Sequence, residues 1–384
     1  MKIAIICDVL GSENNGTTTA GLNLINFLIS KGHDVKVICP DQERKGDDHF
    51  VVVDKINFGI FNNYVQKNGI VAAKASKKFL EEQVKDADII HLLLPFSMSV
   101  KVVKIAKKYG IPVTASFHCQ AENISSHFFL KNFTPLNKII YKVFYKKVYR
   151  YVDAVHYPTK FIKDTFENAV KKKTNAFVIS NGVKDIYKKN RCEKPDELKD
   201  KFVVVFTGRY SREKSHKVLI DAVAKSRHKD KIQLVFAGNG PLEKSLKKYC
   251  KKKLPIQPIF NYYSRPELVK VLNYADLYVH PAEIEIEAIS CLEAISCGLV
   301  PVIANSPRCA TKSFALDSQN LFENKNSTDL ANKIDFWLDN VAEREKRSEQ
   351  YVGFAKNFAF ENCMQQMEDM LIKTYNSKKM SKKH

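Results

Sequence analysis

Asp88 stands as far ahead of Gly110 as Asp276 does of Gly298, and the two intervals follow one pattern. "DADIIHLLLP" (86–95) and "YADLYVHPAE" (274–283) are β-rich; each leads into a helical stretch and then a glycine-led run, "GIPVTAS" and "GLVPVIANS". Strand, crossover helix and second strand imply a parallel sheet. Both halves also open alike. "KIAIICD" precedes a helix with Leu22, Ile25, Leu28 and Ile29 on one face and then "DVKVICP"; "KFVVVFTGRYS" precedes "SHKVLIDAVAKSR" and "IQLVFAGNGP". A chain of 384 residues exceeds the usual single core. The expected fold is therefore α/β, with two doubly wound Rossmann-like domains facing across a cleft. Their expected bounds are 1–184 and 185–350, with a polar, lysine-rich join at 188–201. A helical segment, 351–376, is expected to return to the first domain and a basic tail to occupy 377–384.

Hydrophobic residues at 45% supply ample core material. The apolar run at the N-terminus meets Asp8 too early for a secretion signal, and no apolar stretch reaches the ~18 residues of a membrane span. A cytoplasmic protein is expected, peripheral at the inner face of the plasma membrane. Nine scattered cysteines without a C-x-x-C pair read as reduced core thiols, not as a zinc site or disulfide framework. The net charge of +20 calls for an acidic partner. Between 101 and 150 ten basic residues face one acid, Glu122. No helix-turn-helix, zinc-finger or RNP-type pattern accompanies that charge, so no nucleic-acid partner is expected.

Ligands of open α/β sheets bind at the carboxyl ends of strands. This selects Asp8 to Thr17, His91, His118, Gly208 to Lys214, Gly238 to Gly240 and the stretch "HPAEIEIEAISCLEAISCG". In the last, a helix is predicted from near Ile289 to a glycine cap at Gly298. Glu285 lies in the loop ahead of it, and Glu293 lies within it among apolar neighbours. A carboxylate there suits vicinal hydroxyls such as those of ribose. The first-turn amides suit an anion or sugar hydroxyls, and Arg209 and Lys214 of "TGRYSREK" suit a diphosphate. Together these describe a nucleotide-sugar site.

The E-x7-E spacing of Glu285 and Glu293 followed by "EAISCGLVPVI" resembles the signature of the retaining GT-B glycosyltransferases of family 4. "NNGTTTAGLNLINFLISKGHDVKVICP" resembles that family's glycine loop and first helix, "SNGVK" its interdomain segment, "TGRYSREKS" its diphosphate motif and "FAGNGP" its G-x-G-P turn. The resemblance implies that Arg209 and Lys214 grip the donor diphosphate, Glu293 holds the ribose and Glu285 contacts the sugar near its reacting carbon. It implies that Gly16 lets the N-terminal loop approach the donor phosphate, and that His118 faces the sugar from the other domain. The family's E-G-F-G-L-P reads Glu285-Ile286-Glu287-Ala288-Ile289-Ser290 here, so Ala288 and Ile289 hold positions where backbone approaches the donor. Two glycines are lost there, and the family's N-G-V-D ends in Lys184. No cofactor is implied beyond the nucleotide-sugar donor as co-substrate, and no metal.

Plainer roles compete for several residues. Glu283 and Glu287 alternate with Glu285 and are expected to face solvent. His91 and His280, at matched places in the two halves, are either core or site. The "DAD" at 86–88 mimics a metal-binding D-x-D but lies at the wrong end of its strand. The segment 136–152, "LNKIIYKVFYKKVYRYV", places Lys138, Lys142 and Lys146 at i, i+4 spacing beside a stripe of Tyr141, Tyr145 and Tyr149. Such a helix suits an anionic membrane, with tyrosines at headgroup depth. It equally suits packing on its own sheet behind a solvated lysine face. The activity expected is transfer of a hexose, UDP-linked, to a membrane lipid hydroxyl such as that of diacylglycerol or a glycolipid. Synthesis of a cell-surface polysaccharide on a lipid-linked carrier is the alternative.

Overall fold

The computed structural model describes residues 1–9, 16–57, 59, 73–126 and 133–381. The chain forms two compact units: Met1–Asn181 with Asn362–His384, and Gly182–Glu361. In the first, β1 (Lys2–Ile6), β2 (Asp34–Cys39), β3 (Phe50–Val52), β6 (Ile89–Leu92), β7 (Val113–Ser116), β8 (Ala154–Tyr157) and β9 (Ala176–Val178) form a parallel sheet. Its order is β3-β2-β1-β6-β7-β8-β9, and β4 (Asp54–Lys55) with β5 (Ala73–Lys74) makes a small antiparallel pair beside it.

The second unit has β10 (Phe202–Thr207), β11 (Ile232–Ala237), β12 (Ile259–Asn261), β13 (Leu277–His280), β14 (Pro301–Asn305) and β15 (Leu321–Glu323), in the order β12-β11-β10-β13-β14-β15. Both sheets reverse direction beside their first strand, the Rossmann arrangement that opens a ligand crevice at that point.

The matched intervals occupy the same slot in both sheets. Asp88 and Asp276 each lie just ahead of the strand placed next to the sheet's first strand. Lys2 N donates to Asp88 Oδ2 at 2.7 Å and Asp88 N to Lys2 O at 2.9 Å. Val203 N donates to Asp276 Oδ2 at 2.7 Å and Asp276 N to Val203 O at 2.9 Å. Each aspartate thus pins the register of two central strands at their amino ends. That use, at the edge remote from the crevice, accounts for Asp88 of the "DAD".

Gly110 and Gly298 follow the two matched helices, Ser97–Tyr109 and Ile289–Ser296, with φ of 65° and 83°. Left-handed backbone favours glycine. At Gly298 a Cβ would also lie 2.7 Å from Lys189 Cδ and 2.9 Å from Ser348 Oγ.

The long helix Phe360–Ser381 joins the first unit by burying Met364, Met367, Met370 and Leu371. Glu368 Oε1 lies 2.7 Å from His33 Nε2, and residues 351–361 group with the second unit. The expected tail from 377 is helical as far as Ser381. Ser377 Oγ donates to Lys373 O, and Lys378 Nζ reaches Asp153 Oδ1 at 2.7 Å.

The basic segment is the helix Thr134–Lys147 with a 3-10 turn Tyr149–Tyr151, begun by Pro135 in its first turn. Of the two readings of its tyrosine stripe, Tyr141 and Tyr149 follow the inward-packed one. Tyr141 and Tyr149 are buried, at 2% and 3% exposure, against Phe117 and Phe166, and Tyr141 donates to Glu122 Oε2. The tyrosines serve the core that Phe117, just after β7, forms with Phe166 of the helix Lys160–Val170. The lysines lie opposite, on the exposed side.

Candidate functional site

In the second unit, the loops after β10 and β11 lie backbone against backbone. Gly208 N donates to Ala237 O, Tyr210 N to Asn239 O and Leu242 N to Tyr210 O. A Cβ on Gly238 would stand 2.1 Å from Gly208 O, and one on Gly240 2.7 Å from Tyr210 N. The glycines of "GNGP" are therefore a packing requirement of "TGRY". The result holds Arg209 at the carboxyl end of β10, where burial lowers its guanidinium from its usual value and Glu213 acts the other way.

The chain then makes the turn Arg212–Lys214, passes Ser215 at φ 53° and enters the helix His216–Lys225. A non-glycine residue in that conformation is uncommon and marks a turn fixed by its surroundings. Lys214 Nζ donates to Glu285 Oε2 at 2.5 Å, with side chains 15% and 16% exposed. Burial acting alone would lower the ammonium, but Glu285 outweighs it and holds Lys214 above its usual value. An ion pair with so little water around it is strongly felt by both partners.

Residues 281–288 make an irregular loop, which overturns the solvent-facing expectation for Glu283 and Glu287. Glu283 N donates to Glu213 O, Glu285 N to Arg308 O and Ala310 N to Glu285 O. Folded back in this way, the loop does not alternate faces, and both glutamates are buried. Glu283 Oε1 takes Lys325 Nζ at 2.7 Å and Arg308 at 3.1 Å, so it ties the loop down.

Ala288 is the N-cap of the helix Ile289–Ser296, and no side chain caps that end. Glu293, within the helix and half-buried, accepts a hydrogen bond from Tyr187. Burial raises its carboxyl to about 7, against the hydrogen bond from Tyr187 and the charges of Arg265 and Lys184. Tyr187 and Arg265 had no signature in the sequence, because they reach Glu293 from distant segments. Glu285, Lys214, Arg209 and the Ala288–Ile289 helix start all belong to this unit.

In the first unit Asp8 is structural. Its carboxylate accepts from Met98 N at 2.6 Å and from Ser99 N and Oγ, capping the helix Ser97–Tyr109. Gly16 opens the helix Gly16–Ser30, and among the described residues nothing lies within 4 Å of where its Cβ would be. Asn14 and Asn15 of the glycine loop lie outside the described residues.

His91 and His280 are both fully buried strand residues. His118 follows β7 and sits edge-on to His156 at 5.6 Å between ring centroids. Beneath it runs a hydrogen-bonded chain. His156 Nε2 lies 2.7 Å from Ile179 O, an acceptor only, so that nitrogen carries the proton. His156 Nδ1 then accepts from Ser116 Oγ at 2.8 Å, Ser116 Oγ accepts from His91 Nε2 at 2.9 Å, and Thr114 donates to His91 Nδ1 at 2.8 Å. Burial lowers all three imidazoles: His91 to about 3, His156 to about 4, and His118 well below its usual value. They are neutral at physiological pH. Among the described residues no group of three or more His, Cys, Asp or Glu side chains could hold a metal ion.

Residues 14–185 match Glycosyltransferase Family 4, and residues 188–352 match Glycosyl transferases group 1. The chain belongs to the family 4/group 1 glycosyltransferases. It is a hexosyltransferase with the GT-B pair of Rossmann-like domains. It is 26% identical over 324 residues to an α-monoglucosyldiacylglycerol synthase of Streptococcus pneumoniae, covering 79% of this chain and 71% of that one. A protein of the same name from Acholeplasma laidlawii is 24% identical, with 85% of each chain covered. The crystal structure of HepE from Anabaena in complex with UDP-glucose matches 97% of this chain and all of that one, with a TM-score of 0.75 and 17% identity, a likeness of fold.

Proposed function

We propose that this glycosyltransferase moves glucose from UDP-glucose, with retention, to a hydroxyl of a membrane lipid such as diacylglycerol or a glycolipid, at an anionic cytoplasmic membrane surface. The observation that carries the lipid acceptor is the outer face of the helix Thr134–Lys147. Ile139 and Val143 are 57% and 47% exposed beside exposed Lys138, Lys142, Lys146 and Lys147, and Phe133, just ahead, is 54% exposed. Apolar groups that penetrate a headgroup layer, interleaved with cations that meet its phosphates, suit a bilayer better than water. No described helix is long and apolar enough to cross a membrane, so contact would be peripheral. The relatives named α-monoglucosyldiacylglycerol synthases support the same acceptor. Glucose in UDP-glucose is α-linked, so an α-glucoside product would mean retention.

Lys214 and Arg209 would neutralise the diphosphate as the anomeric C–O bond breaks. The acceptor oxygen bonds to the anomeric carbon and its proton passes to a diphosphate oxygen, so no separate base is required. Glu285, already against Lys214, would touch the sugar near the reacting carbon. Ala288 and Ile289 would present backbone to the donor, Gly16 would let the N-terminal loop approach its phosphate, and neutral His118 would hydrogen-bond the sugar.

Glu293 would accept the ribose hydroxyls, and its carboxyl near 7 gives this a pH signature. A carboxylate accepts charge-assisted bonds that the protonated acid does not. Donor affinity is therefore expected to rise with pH through about 7. Glu293→Gln should flatten that profile and weaken donor binding by about 1–3 kcal/mol above it. A titration whose pH profile is the same in the variant removes Glu293 from the donor site. The function itself is tested by nucleotide release from a panel of UDP- and GDP-sugars, with and without diacylglycerol. UDP release from UDP-glucose that depends on the lipid is expected; equal release without lipid, or none with it, defeats the acceptor assignment.

A further inference from the structure

We propose that Lys104, Lys146, Lys147, Arg150 and Tyr151 form a pocket for the phosphodiester headgroup of an anionic membrane lipid. They line a cavity of about 250 Å³ where the helices Ser97–Tyr109 and Thr134–Lys147 meet the turn Tyr149–Tyr151. This rests on the membrane-surface assignment above and narrows it from a charged face to a site.

Four cations and no carboxylate line the cavity. Nearby Lys108 is already neutralised, by Glu81 Oε1 at 2.6 Å, and Glu122 is turned inward to Tyr141. Among the described residues no ion pair engages Lys104, Lys146, Lys147 or Arg150. Arg150 lies 4.5 Å from the Tyr151 ring centroid and donates to the Tyr151 hydroxyl, so its guanidinium is tethered beside that ring. A planar guanidinium fork with lysines around it is suited to the oxygens of a phosphate. The positive field is felt by Tyr151 itself. Its phenol is drawn below the usual range by the Arg150 hydrogen bond, with Arg150, Lys107 and Lys104 adding their charge.

The volume is below the ~300–1,000 Å³ of sites that take whole small molecules, so the pocket suits a headgroup and leaves the rest of the ligand outside. Ile139 and Val143 precede Lys146 and Lys147 along one exposed helical row. A phosphate arriving with acyl chains attached would therefore meet apolar surface next to the cations. That contiguity favours a lipid over free phosphate.

The test compares Lys104→Gln/Arg150→Gln, which empties the pocket of two charges, with Lys138→Gln/Lys142→Gln, which removes the same charge outside it. Vesicles of neutral digalactosyldiacylglycerol carry either phosphatidylglycerol or, at matched surface potential, oleate. On phosphatidylglycerol vesicles the pocket pair is expected to lose about tenfold more affinity than the outer pair. On oleate vesicles the two should lose alike. Equal loss on phosphatidylglycerol overturns the pocket and leaves the membrane assignment standing. Failure of the wild type to bind either vesicle overturns both. A rise in wild-type melting temperature with inorganic phosphate or glycerophosphoglycerol, without vesicle binding, overturns the lipid source in favour of a soluble phosphate.

Discussion

Replacing Lys214 with alanine is expected to lower turnover by about 10²–10³-fold, the size of effect seen when one stabilising group is removed from a developing charge. It should also destabilise the second unit, because Lys214 is not a free lysine waiting for a ligand. Its ammonium lies 2.5 Å from Glu285 Oε2, and both side chains retain only about a sixth of their exposure. Truncation strands a carboxylate in a site with little water. Breaking a fully buried pair costs ~3–5 kcal/mol; the remaining exposure brings the expected loss to about 2–4 kcal/mol. The two effects separate in Lys214→Ala/Glu285→Gln. The neutral amide removes the stranded charge, so most of the stability should return while turnover stays low, since nothing has been restored to the diphosphate. Chemical denaturation and nucleotide release on the three proteins decide it. Near-normal turnover in folded Lys214→Ala, or turnover recovering with stability in the double variant, would show the lysine to be structural. If Lys214 grips the donor diphosphate as proposed, donor binding would have to divide it between Glu285 and the diphosphate, and the ligand-free pair would act as a placeholder for a second anion.

What the sequence made legible was whatever depends on local periodicity and on the order of elements. The spacing from Asp88 to Gly110 and from Asp276 to Gly298 marked equivalent slots in two sheets, because each aspartate bonds the first strand and each glycine ends the following helix. The candidate residues Arg209, Lys214 and Glu285 were legible as types in the loops after strands, and Glu293 as a carboxylate within an apolar helix. Their mutual arrangement was not. Alternation of Glu283, Glu285 and Glu287 suggested two faces of an extended segment, whereas the loop folds back onto residues 306–310 and buries the outer two. The tyrosine stripe at Tyr141 and Tyr149 satisfied the helical period equally well facing lipid or core, and Phe117 and Phe166 decided it. Tyr187 and Arg265 had no local signal, since contacts across such sequence distances leave no periodicity to read. His91 and His280 lacked one too: strand-end position does not tell a ligand contact from a satisfied core histidine.

The buried histidines of the first unit lead to an acid sensitivity that should distinguish it from the second. His91 and His156 are held at about 3 and about 4, below the ordinary value of 6.5, with burial as the main cause. Between pH 6.5 and about 4 the unfolded chain therefore binds protons that the folded unit refuses. Stability is fully present above 6.5 and is lost as pH falls, by ~1.4 kcal/mol per pH unit for each histidine. At pH 5 the two together cost about 4 kcal/mol, a large share of the ~5–15 kcal/mol that holds a domain folded. The hydrogen-bonded chain leaves no easy adjustment. A proton added at His156 Nδ1 replaces the acceptor of the Ser116 hydroxyl with a donor, and one added at His91 Nδ1 does the same to Thr114. Asp8, raised by burial, acts in the opposite direction. In the second unit His216, lowered to about 3, and His280, also lowered by burial, are opposed by Glu293, raised to about 7, and by Glu285, raised by burial, so that unit should respond less. Hydrogen exchange at pH 7.5 and pH 5, corrected for intrinsic rates, is expected to show β6, β7 and β8 losing protection while β10 and β11 keep theirs. His156→Asn should remove about half of the pH dependence of the first unit, whatever it does to stability at neutral pH. Equal protection of both sheets at the two pH values, or an unchanged slope in His156→Asn, would mean that the first unit takes up these protons without opening.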